Sequence, residues 1–258
     1  MEAASLQAVV VTGASAGIGE EFARQLAVAG HHLVLVARRL DRLEALAGEL
    51  QSRHGIQVVC IASDLARADA AEQLVATLRQ KQVQVTGLVN NAGFGDRGSV
   101  ESLALQRQLD MIQVNVTSLV DLTWRLLPGL KNVANSFVIN VASTAAFQAG
   151  PNMAVYYASK AFVLSFSEAL HEELKGDGVA VSALCPGATD SEFASEANMT
   201  DTLLFKAGTM TTEAVVRKAL AGRRNAIVIP GFKNLLLVWL GKLSPRLVTR
   251  RLAGMLQA

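Results

Sequence analysis

The stretch AVVVTGASAGIG, residues 8–19, decides how the chain is read. An unbroken apolar run leads to Thr12, the pattern of a strand buried on both faces. Glycines follow at positions 13, 17 and 19, and a helical period starts at Ile18. A strand, a glycine turn and a helix start bring bare backbone N–H groups and a helix N-terminus to one point, which suits a pyrophosphate. The spacing is G-x-x-x-G-x-G, not the G-x-G-x-x-G of the general fingerprint. Glycines alone would mean only a turn. The strand before them and the helix and second strand after them favour a dinucleotide site, with Gly13, Ser15, Gly17, Ile18 and Gly19 at its floor.

The same rhythm continues outward. Strand-like runs are read at residues 8–12, 32–37, 57–62, 87–89, 136–141, 179–184 and 226–229. Helical periods fall between them, at 18–29, 40–51, 68–81, 105–127, 155–175 and 212–221. This alternation predicts an α/β fold with a doubly wound, seven-stranded parallel sheet and helices on both faces. No linker or repeat interrupts it, so one domain over residues 1–258 is expected. Residues 188–210 break the rhythm and are read as a substrate loop or lid. Residues 232–258 are apolar and basic together, and Pro245 is expected to divide them into two short amphipathic helices.

Composition narrows the class. The chain has 258 residues, 51% of them hydrophobic, which is enough for a sizeable core and argues against disorder. A formal net charge of +2 gives no case for nucleic acid as a partner. Cys60 and Cys185 lie in separate apolar runs and are read as buried free thiols of a cytoplasmic protein. The first residues lack the basic and apolar regions of a signal peptide. The apolar run LLLVWL, residues 235–240, is far short of the roughly 20 residues that span a bilayer, so no transmembrane segment is expected. HEELK at 171–175 lacks a second histidine four residues on, and with four His and two dispersed Cys no metal site is expected. The absence of G-x-S-x-G argues against a nucleophile-elbow hydrolase.

Two further stretches bear on chemistry. An NAD-binding fold commonly carries an acid about 20 residues after the glycine turn, for the ribose 2′-hydroxyl. Here the second strand ends in VARR, residues 36–39, with Ala37 where the acid is sought and Arg38 and Arg39 beside it. Two guanidiniums without a carboxylate suit a 2′-phosphate and favour NADP(H); the plain alternative is a solvated pair at a strand end. In YYASKAF, residues 156–162, a helix would bring Tyr156 and Tyr157 towards Lys160 at i,i+4 and i,i+3. A phenol titrates near pH ~10, and a neighbouring cation lowers that value. The residues alone leave an acid/base device and two packing aromatics both open.

Taken in order, the motifs resemble the short-chain dehydrogenase/reductase family, in its single-domain branch. TGASAGIG (12–19) resembles the family's cofactor turn, and Asp64, with Leu65 beside it in the SDL stretch, the acid at the adenine amino group. NNAG (90–93), with Asn91, Ala92 and Gly93, resembles the motif closing the fourth strand. Asn115, Ser143, Tyr156 and Lys160 resemble the catalytic tetrad, and Pro186 and Gly187 with Thr189 and Ser191 the segment at the nicotinamide carboxamide. The resemblance implies a Rossmann-like fold, NADP(H) as cofactor, and hydride transfer between nicotinamide and a carbonyl or secondary alcohol. It selects Tyr156 over Tyr157 as the proton donor in reduction. It also implies that Lys160 lowers the tyrosine's pKa, that Ser143 bonds the substrate oxygen, and that Asn115 distorts its helix and helps hold a water. Ala16 stands where many NADP-preferring relatives carry a basic residue, so that preference rests on Arg38 and then Arg39.

The rival reading is a catalytically silent NADP(H)-binding regulatory protein on the same fold. Phe147, Met153 and Phe193, with the loop at 94–99, are expected to make an apolar pocket for a small carbonyl or alcohol substrate. Family analogy points to a homodimer or homotetramer through the helices that hold Asn115 and Tyr156. For the tail, a helix pair over the pocket or at an oligomer interface is favoured over a membrane surface. Leu235, Leu236, Trp239 and Leu240 would then suit a lipophilic substrate.

Overall fold

The computed structural model describes residues 5–202 and 208–257. Seven strands, β1 (Leu6–Thr12), β2 (His32–Ala37), β3 (Val58–Ala62), β4 (Val83–Asn90), β5 (Phe137–Val141), β6 (Ala180–Leu184) and β7 (Ile227–Val228), form one sheet. Its order is β3-β2-β1-β4-β5-β6-β7 and every pairing is parallel. The chain winds outward from β1 to β3, then returns to place β4 on the other side of β1. That reversal opens a crevice at the carboxyl ends of β1 and β4, where such sheets bind ligands.

Alternation along the strands divides the core in two. Val9, Val11, Leu33, Leu35 and Ile139 face α1 (Gly17–Val28), α2 (Leu40–His54) and α8 (Thr212–Ala221). Ala8, Val10, Val34, Val36 and Val138 face α3 (Ala70–Gln80), α5 (Ser118–Leu130) and the end of α6 (Ala154–Glu173). With both faces covered, continuous apolar strands are what burial selects. β4 is longer than the expected 87–89. Its first half, with Gln84 and Thr86, is partly exposed and lacks the apolar density of the other strands.

A buried polar chain crosses this core. Asn90 and Asn140 are direct partners in the β4–β5 register. The Asn90 amide donates to Asn140 Oδ1 at 2.9 Å and to Thr123 Oγ1 on α5 at 3.0 Å, and Asn140 donates to Ser167 Oγ on α6 at 2.9 Å.

The helical stretch expected at 105–127 is interrupted. α4 (Leu105–Ile112) passes into a π-helical turn at Gln113–Thr117 before α5 resumes. Residues 188–210 contain the short α7 (Phe193–Glu196), and their base is pinned by backbone bonds between Met210 and both Ala188 and Asp190. Residues 203–207 of that segment lie outside the described residues. The tail forms α9 (Phe232–Leu243) and α10 (Arg246–Gln257), parted at Pro245. Among the described residues no helix is long and apolar enough to cross a membrane. Both cysteines are free; Cys185 is buried, whereas Cys60, at the edge strand, is only half-buried.

Candidate active site

The crevice widens into a cavity of about 1040 Å³. Its floor is the turn after β1. Gly13 has φ +66°, and a Cβ there would sit 2.8 Å from Asn91 Nδ2 and 2.9 Å from Ala92 Cα, so only glycine lets the turn lie against the end of β4. The Asn91 amide donates to the carbonyls of Thr12 and Gly13, and Thr12 Oγ1 accepts from the N–H groups of Asn91 and Ala92. Ala16 caps α1 without a side-chain bond, so the first N–H groups of the helix remain available to an anion. Gly13, Ser15, Gly17 and Ile18 line the cavity; Gly19 does not, because it packs against the Gly13 carbonyl.

Arg38, Arg39, Asp64 and Leu65 line the cavity at the β2 and β3 ends. Arg38 is exposed. Arg39 is engaged: its guanidinium donates to Ser15 Oγ at 3.2 Å and pairs with Glu192 at 3.0 Å. Arg42 pairs with the same carboxylate at 2.6 Å. The Arg42 guanidinium, and after it Arg39, hold the Glu192 carboxyl below its usual range. A carboxylate thus does stand near the VARR stretch, but it arrives from the segment after β6. Nothing in the local sequence announces it.

The opposite wall carries Ser143, Tyr156 and Lys160. Ser143 follows β5 and caps a 3₁₀ turn at Thr144–Phe147, its Oγ accepting from Ala145 N at 3.1 Å. Tyr156 and Lys160 lie one turn apart on α6, with Lys160 Nζ 5.8 Å from the Tyr156 ring centre. Burial pushes the Tyr156 phenol well above its usual range, and the Ser143 hydroxyl opposes that rise. Lys160 is only 5% exposed; Nζ donates to Val141 O at 2.8 Å, and burial pushes its pKa down to about 8. Tyr157 stands edge-on to Tyr156 at 6.1 Å and also lines the cavity.

Asn115 is 1% exposed and stands behind the wall, inside the π turn. Its Oδ1 accepts from Phe94 N at 3.1 Å, and its Nδ2 donates to Phe94 O and Ser159 Oγ, both at 3.0 Å. Ser159 in turn donates to the Tyr156 carbonyl at 2.7 Å. The asparagine therefore ties the loop after β4 to the helix that carries the tyrosine. π turns of this kind are frequent at functional sites.

Asn91, Ala92 and Gly93 line the middle of the cavity, and Pro186, Gly187, Thr189 and Ser191 the side beyond β6. Phe147 and Phe193 also line it, whereas Met153 is buried behind, in a cluster with both tyrosines. Of the four tail residues expected at a substrate, Leu240 lines the cavity; Leu235, Leu236 and Trp239 do not. Sequence reading missed Asn234, packed against Gly187, and Arg107, which lines the cavity from α4 and pairs with Asp96. Among the described residues no group of three or more His, Cys, Asp or Glu could hold a metal.

The chain is similar to known proteins over most of its length. The family model for short chain dehydrogenase matches residues 7–202. A sulfoacetaldehyde reductase of Chromohalobacter salexigens is 42% identical over 187 residues, 72% of this chain and 73% of that protein. The 17-beta-hydroxysteroid dehydrogenase type 3 of Homo sapiens is 30% identical over 90% of this chain and 76% of its own length. Among solved structures, a short-chain dehydrogenase from Sphingobium yanoikuyae in complex with NADPH superposes with a TM-score of 0.81 at 33% identity, covering 88% of this chain and 89% of that one.

Proposed function

The chain belongs to the short-chain dehydrogenase/reductase family, and from that premise we propose that it is an NADP(H)-dependent reductase of a bulky, apolar ketone or aldehyde. Its class, an oxidoreductase of C=O and CH–OH groups, comes with the family. One observation supports the rest: a phenol, a hydroxyl and a buried ammonium share one wall of a cavity whose floor is a glycine turn and an uncapped helix N-terminus.

The residues fit a nicotinamide dinucleotide. Gly13, Ser15, Gly17, Ile18 and the α1 N-terminus would take the pyrophosphate, with Gly19 supporting the turn from behind. Asp64 and Leu65 would meet the adenine, and Arg38, with Arg39, the 2′-phosphate. Asn91, Ala92 and Gly93 would border the ribose, and Pro186, Gly187, Thr189 and Ser191 the carboxamide. A bound nicotinamide supplies the hydride; the protein orients and protonates.

Tyr156 is the proton donor. A phenol kept protonated by burial suits the reductive direction, giving its proton to the carbonyl oxygen as negative charge grows there. The Ser143 hydroxyl bonds the same oxygen and stabilises that charge. Lys160 contributes positive charge beneath the phenol and eases its reprotonation. Asn115 holds the loop and helix in register and acts through them. Phe94, Phe147, Tyr157, Phe193, Leu237 and Leu252 give the substrate side an apolar lining, which favours a bulky hydrocarbon body around the carbonyl. Exposed Leu105, Leu109 and Ile112 recur at i, i+4 and i+7 on α4; with Trp124 and Phe162 they support assembly as a homodimer or homotetramer through α4–α6.

The test is NADPH consumption across a panel of bulky ketones and aldehydes, with NADH in parallel and Tyr156→Phe as control. Turnover that prefers NADPH and falls at least about a thousandfold in the phenylalanine variant, with cofactor binding kept, supports the reading. A wild type that binds NADPH and reduces nothing supports the silent regulatory alternative.

A further inference from the structure

The roof of the cavity has a second face. On α9 (Phe232–Leu243), Asn234, Val238 and Gly241 turn inward and line the cavity. Phe232, Leu236, Trp239 and Leu243, spaced i, i+4, i+7 and i+11, form the opposite stripe. That stripe is the exposed one: Phe232 is 80%, Leu243 78% and Trp239 59% exposed. Leu247, Val248 and Met255 continue the exposed apolar surface on α10 (Arg246–Gln257). An amphipathic helix on a globular protein ordinarily turns this face to the core. Here it turns away.

Charge bears on what covers it. Lys233 at the cavity rim and Lys242, its Nζ 5.0 Å from the Phe147 ring centre, flank the α9 stripe; Arg246 and Arg250 border a groove beside Lys242, and Arg251 lies further along α10; all five are exposed. No acidic residue follows Glu213. Nine of the 24 basic residues and none of the 22 acidic ones lie beyond it, so the rest of the chain is net acidic. A two-fold contact between copies would bring this basic patch against itself. An apolar stripe edged by cations is instead complementary to an anionic bilayer surface, with the rings and leucines in the acyl boundary and the cations at the headgroups. A helix of 12 residues lies on such a surface and cannot span it.

We propose that α9 and α10 dock the protein on anionic lipid, with the cavity mouth turned to the bilayer. Leu237, Leu240 and Leu252 line the cavity and are themselves exposed, so the rim is continuous with the docking face. The acidic remainder of the chain is repelled from the same surface, which fixes the orientation. Entry of a lipophilic carbonyl compound from the bilayer follows from this and rests on the reductase reading; lipid binding itself does not.

Vesicle flotation of the full chain, without substrate, tests the surface. The protein is expected to float with vesicles of phosphatidylcholine and phosphatidylglycerol and to stay behind with phosphatidylcholine alone, and binding should fall steeply at about 1 M salt. Emission from Trp239, isolated by Trp124→Phe, should shift to the blue on the anionic vesicles. Each basic residue near such a surface strengthens binding about fivefold, so Arg246→Glu with Arg250→Glu and Arg251→Glu should weaken it by over about 100-fold. Trp239→Ser with Leu243→Ser should also abolish flotation while sedimentation in solution is unchanged. A wild type that does not float with anionic vesicles, or a Trp239→Ser/Leu243→Ser variant whose oligomeric state changes, overturns the proposal.

Discussion

At the residue scale, Lys160 carries an electrostatic cost. Its ammonium is buried with one carbonyl, that of Val141, as partner, and its pKa is pushed down to about 8. Free lysine titrates near ~10.4. Between those values the unfolded chain binds the proton more tightly than the fold, so stability from this group rises with pH across that window. Below about 8 the penalty is complete. Lys160→Met should therefore stabilise the fold at pH 7, by on the order of 1–3 kcal/mol after the lost Val141 bond is counted. The advantage should vanish by about pH 10.4, and thermal unfolding across pH checks both the sign and the window. A cost of this kind at one side chain is a mark of function. The tyrosine and the lysine could be found in the sequence because residue type and a four-residue spacing carry the signal. The Val141 carbonyl could not, since every residue has one. Nor could Glu192, whose partners lie 153 and 150 positions away.

At the scale of elements, Glu192 links two parts of the cavity rim. It joins the segment after β6 to the start of α2 through Arg39 and Arg42. All three side chains are well exposed, so each pair is worth only about 0.2–1 kcal/mol. Glu192→Gln should free Arg39 for a 2′-phosphate and raise the preference for NADPH over NADH by roughly two- to fivefold, read as the ratio of kcat/KM values. A ratio that does not move would show that Arg38 alone carries the preference. The strands and most helices were legible because burial on both faces leaves continuous apolar runs. The break at Gln113–Thr117 was not. Its flanks keep helical period on both sides, and the distortion arises from Asn115 bonding the distant Phe94 backbone. The tail shows the same limit: periodicity finds an amphipathic helix, but only packing tells which face looks outward.

At the scale of the molecule, the apolar residues on α4–α6 predict association. Trp124 is 72% exposed, a costly arrangement for a lone monomer. Trp124→Glu with Leu109→Glu should convert the assembly to monomers in sedimentation velocity, without loss of helical signal. If the wild type is already monomeric, that face has another use. Every strand pairing here is parallel and long-range, β1 meeting β4 across more than seventy residues. Such topologies assemble slowly and pass through mispaired states. The paired amides of Asn90 and Asn140 bear on that hazard. A slip of one position in either direction would set Asn90 against a hydrocarbon neighbour, Ile139 or Val141, and in one direction also Asn140 against Val89, stranding polar atoms at about 1–3 kcal/mol apiece. Apolar strands tolerate such a slip far more readily. The paired asparagines thus penalise a slipped β4–β5 register relative to the native one, and so help keep the strand ends beneath the crevice in step.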